Sequence, residues 1–167
     1  MRDLGKIPDY IFVALSTCGT INGISEAVRS QKLKTKVIAV DAEGSVIFRQ
    51  KPKKRLIPGH GASIVPPFYY EGICDDYIHV SDMDCISGCR QLVKREGLFL
   101  GGSSGGIITA IQKFSHKIPE GSVCVLISAD RGGRYLESVY SDEWVMKNYG
   151  RLPVDSGYKR FEMAVTK

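Results

Sequence analysis

The chain has 167 residues, 43% of them hydrophobic and 25% charged, with a formal net charge of +5. That is enough for one domain with its own core, and the composition is that of a globular chain, not a disordered or fibrous one. No run reaches the roughly 18 to 20 apolar residues of a membrane helix, and the opening residues lack the apolar stretch of a signal peptide. The five cysteines follow no framework pattern, so a reducing, cytoplasmic setting is expected.

The elements alternate between strand and helix. Residues 9–15 form a continuous β-branched and aromatic run, suited to a strand buried on both faces of a parallel sheet. A loop of small residues follows, Ser16-Thr17-Cys18-Gly19-Thr20. Next comes a helix with Ile21, Ile24, Ala27 and Val28 at helical spacing. Residues 36–41 form a second buried strand, completing a βαβ unit. Residues 43–77 hold glycine, proline and the run Lys51-Pro52-Lys53-Lys54-Arg55, and are expected to be irregular or short helix. With no interleaved aromatics, the basic run reads as a solvated loop and not as a nucleic-acid patch.

Residues 77–80 predict a short strand. Ser81 or Asp82 can cap a helix over 83–96 that turns Ile86, Cys89, Leu92 and Val93 inward and ends at Gly97. Residues 98–100 predict a very short strand. Gly101-Gly102-Ser103-Ser104-Gly105-Gly106 reads as a loop before a helix through Ile107, Ile108, Ala110, Ile111 and Phe114. Residues 122–128 predict a third long buried strand, leading into Asp130-Arg131-Gly132-Gly133-Arg134-Tyr135-Leu136. Beyond Trp144 the signal fades into an expected tail over 148–167.

Three small-residue loops, 16–20, 101–106 and 128–133, each follow an apolar strand. In an open α/β sheet such loops share the edge that lines the ligand crevice. Loop 16–20 can offer backbone N–H groups, three hydroxyls and a helix dipole to an anion, and a phosphate is the natural guest; a tight packing turn is the alternative. A dinucleotide site would use Asp41 as its ribose carboxylate. However, Cys18-Gly19-Thr20-Ile21-Asn22-Gly23 lacks the glycine spacing, and no P-loop motif occurs. Taken alone, loop 101–106 reads as a flexible glycine turn, without a nucleophile elbow. His60, between Gly59 and Gly61, is placed either facing a cleft or in a structural role. His79 and His116 have no evident partners. Cys85 and Cys89 share a helix face with no further ligands nearby, so they predict core packing and no metal site.

Taken in order, these motifs resemble the cysteine synthase and cystathionine β-synthase group of fold-type-II pyridoxal-phosphate (PLP) enzymes. The carriers are Ser16-Thr17-Cys18-Gly19-Thr20, Gly59-His60-Gly61-Ala62-Ser63, the stretch from Glu96-Gly97 to Gly101-Gly102-Ser103-Ser104-Gly105, and Asp130-Arg131-Gly132-Gly133-Arg134-Tyr135-Leu136. Ser16-Thr17-Cys18-Gly19-Thr20, Val40-Asp41-Ala42-Glu43-Gly44-Ser45-Val46-Ile47-Phe48, Asp130-Arg131-Gly132 and Tyr140-Ser141-Asp142-Glu143-Trp144 resemble the siderophore-pathway branch. That branch makes N-(2-amino-2-carboxyethyl)-L-glutamate, a precursor of 2,3-diaminopropionate, from O-phospho-L-serine and L-glutamate.

The resemblance implies a three-layer, doubly wound, mostly parallel α/β fold, with residues 1–147 as the PLP-binding portion. Ser16, Thr17, Cys18, Gly19 and Thr20 would cradle the cofactor phosphate. Ser103 would hydrogen-bond the pyridine nitrogen, with Ser104 beside it; a neutral hydroxyl there suits chemistry that needs a weaker electron sink than a pyridinium. Asp130 and Arg131 would lie at the ring end, and Gly59, His60 and Gly61 near the substrate amine. The family's Schiff-base lysine, in a Ser-x-Lys-Asp-Arg segment, and its Thr-Ser-Gly-Asn loop do not occur here. The chain is therefore expected to be the C-terminal portion of a longer enzyme, inactive alone. That enzyme is expected to be a cytoplasmic homodimer with small amino-acid substrates and no nucleic-acid or membrane partner. Cysteine synthase or cystathionine β-synthase activity is the alternative within the family. A non-catalytic phosphate-ligand or protein-binding domain is the alternative outside it.

Overall fold

A computed structural model describes residues 5–154. Four parallel strands, β1 (Tyr10–Ala14), β2 (Lys36–Ala42), β3 (Asp76–Val80) and β4 (Cys124–Leu126), lie in the order β3-β2-β1-β4. Side-chain alternation gives the sheet two apolar faces. Val13, Val37 and Ala39 point to the face covered by helix α1 (Gly19–Ser30), where they pack with Leu15, Ile21 and Val28. Phe12, Ile38 and Val40 point to the other face. There they meet Ile86 and Cys89 of α2 (Asp82–Glu96) and Ile107 and Ala110 of α3 (Gly102–Phe114). The result is the expected three-layer, mostly parallel α/β fold. A fourth helix, α4 (Asp142–Tyr149), packs Val145 and Trp144 against the α2/α3 side. It carries regular structure through part of the expected tail, whose residues 155–167 lie outside the described residues.

Several expectations are corrected. Residues 122–128 supply a strand of only three residues, half-exposed, because β4 has a single neighbour in the described sheet. Residues 98–100 form no strand; Leu100 makes one antiparallel bridge to Arg131. The segment 101–106 is not a loop: Gly101 is the N-cap and α3 begins at Gly102. Ala27 is exposed on α1, and its expected inward position is taken by Ser25, whose hydroxyl donates to the Ile73 carbonyl at 2.5 Å. Val93 is 40% exposed on α2.

The remaining helix signals hold. Ser81 caps α2 in a reciprocal box with Asp84, at 3.1 and 2.8 Å, and Gly97 closes it at φ 67°. Cys85 and Cys89 are fully buried between α2 and α3. Residues 43–75 contain neither helix nor strand.

Helices α2 and α3 cross at a backbone contact. A Cβ on Gly88 would lie 2.0 Å from the Gly105 carbonyl oxygen, and one on Gly105 would lie 2.1 Å from the Cys85 carbonyl oxygen. No side chain fits between them. Gly105→Ala is therefore expected to lower the unfolding free energy by about 1–3 kcal/mol through overpacking. Gly23→Ala, at an open position inside α1, is expected to raise it by about 0.5–1 kcal/mol. Urea titration of both variants reads the contrast.

Asp41, at the end of β2, is completely buried, so it is not a ribose ligand. Its Oδ1 accepts from the Ala42 N–H at 2.9 Å. Its Oδ2 has no hydrogen bond and lies 3.8 Å from an equally buried Nε2 of His79. Burial pushes the carboxyl up to about 6. A raised carboxyl means the folded state holds a proton that the unfolded chain has lost, so this stabilisation is full below the ordinary carboxylate value and disappears as pH climbs through about 6. His60 and His79, both pushed down by burial, act in the opposite sense, so a difference measurement isolates Asp41. Asp41→Asn is expected to gain on the wild type by up to about 3 kcal/mol at pH 7, with the gain shrinking toward pH 4. A pH-independent difference in paired denaturation curves would remove this reading.

Candidate functional site

From β1 the chain moves outward through β2 to β3, then returns to place β4 on the other side of β1. The order therefore reverses between β1 and β4, and the crevice belongs at the carboxyl ends of those two strands. Two of the small-residue segments foreseen in the sequence, 16–20 and 128–133, leave the sheet there. The N-terminus of α3 lies against the second.

Segment 16–20 turns β1 into α1. Cys18, the N-cap, sits in the left-handed region at φ 65°, a conformation that a β-carbon disfavours. Its side chain is buried in the α1-side core, and burial pushes the thiol up to about 11, so it stays protonated. No side chain caps α1, and no acidic residue occupies its first turn. Gly19 and Thr20 form that turn, and Asn22 makes the first intrahelical bond back to the Cys18 carbonyl, at 3.0 Å. The hydroxyls of Ser16, Thr17 and Thr20 have no hydrogen-bond partner among the described residues. Unsatisfied N–H groups, the positive end of a helix and three available hydroxyls meet at one place.

The β4 side is fastened to α3. Gly101 N–H donates to the Asp130 carbonyl at 3.0 Å, and Ser104 Oγ pairs with Ser128 Oγ at 3.0 Å. Asp130 Oδ2 accepts from the Tyr135 hydroxyl at 2.5 Å. Burial and that carboxylate push Tyr135 up to about 12, so it remains a donor. Asp130 Oδ1 is buried without a hydrogen bond, and a Cβ on Gly101 would lie 1.9 Å from it. Glycine there lets the carboxylate lie against the N-terminus of α3, where the helix dipole favours negative charge.

The two adjacent serines divide. Ser104 is fully buried and bonded to Ser128, whereas Ser103 lines an open cavity of ≈ 510 Å³ and has no hydrogen-bond partner among the described residues. Gly59, Pro58, Asp130, Arg134 and Tyr135 share that cavity.

Segment 58–63 is brought in by its backbone. Gly61 N–H donates to the Leu15 carbonyl at 2.7 Å, next to the start of segment 16–20. Leu56 N–H donates to Asp82 Oδ2 at 2.7 Å. Gly59 lines the cavity, but the His60 side chain turns into the core. Its Nε2 pairs with the Val40 carbonyl at 3.2 Å and its Nδ1 with the Cys85 thiol at 3.5 Å. Burial pulls the imidazole down to about 4, so it is neutral and structural. Gly106 makes room for it, since a Cβ there would lie 2.9 Å from His60 Cε1.

The structure thus gathers Gly59, Ser103 and Asp130 around one cavity. Ser16, Thr17, Cys18, Gly19 and Thr20 lie at the β1 end, outside its lining. Arg131 is exposed and pairs its backbone with Leu100. Sequence reading assigned no role to Arg134, Tyr135 or Ser138, which also line the cavity. Arg134 and Tyr135 lie in a single-turn 3-10 helix, Gly132–Tyr135, that begins two residues after Asp130, and Ser138 follows it. Among the described residues, no three His, Cys, Asp or Glu side chains gather as a metal site, and no helix is long and apolar enough to cross a membrane.

Comparison with known proteins places this geometry. Residues 1–130 match the family model described as pyridoxal-phosphate dependent enzyme. The O-acetylserine dependent cystathionine beta-synthase of Helicobacter pylori superposes with a TM-score of 0.76 at 30% identity, over 84% of this chain and 46% of that one. O-acetyl serine sulfhydrylase isoform 3 of Entamoeba histolytica gives 0.78 at 32% identity, over 83% and 42%. An O-ureido-L-serine synthase gives 0.75 at 22% identity, over 88% and 49%, a likeness of fold. The chain spans less than half the length of these solved relatives. By its match over residues 1–130 and by its fold, the chain belongs to the family of pyridoxal-phosphate dependent enzymes.

Proposed function

We propose that this chain supplies the phosphate and ring-nitrogen sites of a PLP-dependent enzyme that replaces the β-substituent of an activated L-serine. The donor is O-phospho-L-serine or O-acetyl-L-serine. The nucleophile is L-glutamate, giving N-(2-amino-2-carboxyethyl)-L-glutamate. The observation that carries the reading is Ser103, a hydroxyl without a hydrogen-bond partner among the described residues that lines the cavity beside a fully engaged Ser104.

The residues present fit the cofactor. The N-terminus of α1, with free hydroxyls on Ser16, Thr17 and Thr20 and no acidic neighbour in its first turn, suits a phosphate. The Ser103 hydroxyl suits a pyridine nitrogen. When bound, the cofactor supplies the electron sink for chemistry at the substrate's α and β carbons. The chain's own residues bind and orient: α1 holds the anionic end, Ser103 fixes the ring edge, and Pro58 and Gly59 close one wall. None of them is a proton-shuttling lysine in the family's Lys-Asp-Arg setting, so the 167-residue chain alone is expected not to turn over O-phospho-L-serine.

A second reading, sulfide as nucleophile and O-acetyl-L-serine as donor, draws on the likeness to the O-acetylserine enzymes at 30% and 32% identity. Product analysis of the complete enzyme with each donor and nucleophile pair separates the two.

Thr20→Asp tests the cofactor reading in the isolated chain. A carboxylate in the first turn of α1 favours the helix by about 0.3–1 kcal/mol and repels a bound phosphate. Thermal stability is expected to hold or rise while the affinity for pyridoxal 5'-phosphate, followed by absorbance, falls at least tenfold. Unchanged affinity would sink the assignment of the phosphate to this loop.

A further inference from the structure

Leu56, Pro58 and Gly59 line the cavity together with Ser103, yet they lie in the stretch 43–75 that has neither helix nor strand. No sheet ladder holds them, so their placement depends on contacts with other elements. Ile57, between them, is buried against Gly102, where a Cβ would lie 2.5 Å from its Cγ2, one residue before Ser103. His60 is lodged between the Val40 carbonyl and the Cys85 thiol. The third contact is Asp82, at the start of α2, whose Oδ2 accepts from the Leu56 N–H at 2.7 Å.

Asp82 is in turn held from outside the cavity. The same Oδ2 accepts from the hydroxyl of Tyr149, the last residue of α4, at 2.9 Å. Burial and the Asp82 carboxylate hold the Tyr149 phenol well above its ordinary value, so it stays a donor. Trp144 packs edge-on against the Tyr149 ring. Neither Asp82 nor Tyr149 lines the cavity. One carboxylate oxygen thus joins α4 to the irregular wall, and hydrogen bonds to an ionised acceptor are the strong ones.

We infer that Asp82 is a positioning residue: through the Leu56 N–H it sets the 56–59 wall against the start of α3 and so shapes the cavity for the cofactor ring, with Tyr149 acting only through it. This rests on the cofactor reading above and adds to it two residues outside the cavity lining.

Pyridoxamine 5'-phosphate and inorganic phosphate, titrated into the 15N-labelled 167-residue chain and followed by amide shifts, separate the ring from the anion. Asp82→Ala is expected to weaken pyridoxamine 5'-phosphate about tenfold, through loss of a charge-assisted hydrogen bond, and to leave inorganic phosphate unchanged. A general loss of structure would lower both. Asp82→Asn, whose amide oxygen can still accept from Leu56, recovers part of the loss. Tyr149→Phe alone weakens pyridoxamine 5'-phosphate about threefold and adds nothing to Asp82→Ala, because both act through one oxygen. Without ligand, the Leu56 amide exchanges with deuterium about tenfold faster in Asp82→Ala than in the wild type. Equal pyridoxamine 5'-phosphate affinity in Asp82→Ala and wild type, a parallel fall for inorganic phosphate, additive losses in the double variant, or unchanged Leu56 exchange overturns the inference and leaves the cofactor reading standing. A wild type that binds neither ligand overturns the cofactor reading and the positioning role with it.

Discussion

The backbone contact between Gly88 and Gly105 governs where everything else in the crevice sits. With no side chains between them, α2 and α3 approach until a carbonyl oxygen of one lies where a β-carbon of the other would be. That closeness sets the depth and direction of α3. Its first turn is then pressed against Ile57, the Asp130–Tyr135 pair and His60, each filling the space left by a missing β-carbon at Gly102, Gly101 and Gly106. Ser103 and Ser104 are the only hydroxyls in that turn. One is absorbed by Ser128 and the other is left for the cavity. The glycines are needed for packing density, and the orientation of Ser103 follows from them.

The same packing decides where charge survives. His60 lies between a β2 carbonyl and the Cys85 thiol and is held neutral, and the thiols of Cys18 and Cys85 are held protonated by burial. The Asp130 carboxyl is fixed in direction, one oxygen on the Tyr135 hydroxyl and the other against Gly101 at the start of α3. Polar groups near the crevice are thus either neutral and structural or fixed in direction. What remains available to a ligand is the N-terminus of α1 and the Ser103 hydroxyl. A site of this kind binds and orients without moving protons itself. That agrees with a sequence that lacks the family's Lys-Asp-Arg segment.

Much of this was legible from sequence where periodicity and burial coincide. Strands β1 and β2 are buried on both faces and read as unbroken apolar runs. Helices α1 and α2 carry their signals in Ile21, Val28, Ser81 and Gly97. The misreadings have a common cause, since they depend on neighbours distant in sequence. Residues 122–128 look like a central strand, yet β4 pairs only with β1. Residues 101–106 look like a flexible loop because glycine disfavours helix. Each of those glycines is instead compensated by a close contact that no local propensity contains. His60, flanked by glycines, leaves a cleft-facing and a structural role open in the sequence, and only the tertiary fold decides for the second by showing that Gly106 opens a niche for its ring.

Cys18 shows how the two halves of the crevice are joined. The turn from β1 into α1 needs a left-handed residue, for which glycine is the unstrained choice. Here the β-carbon is kept, and its side chain packs with Leu15, Ile21 and Ile47 beneath the sheet. The strain at φ 65° is offset by burial of that side chain, so the start of α1 is anchored to the core instead of floating on a glycine hinge. At the other end α3 is anchored through Gly105, and Gly61 ties the intervening segment to Leu15 at 2.7 Å. Two helix N-termini are thereby held at one sheet edge, on opposite sides of the point where the strand order reverses. On the reading proposed above, the first takes an anion and the second a neutral polar atom, and a ligand with a phosphate at one end and a ring nitrogen at the other meets both because the packing at Cys18 and Gly105 holds the two helix starts in place.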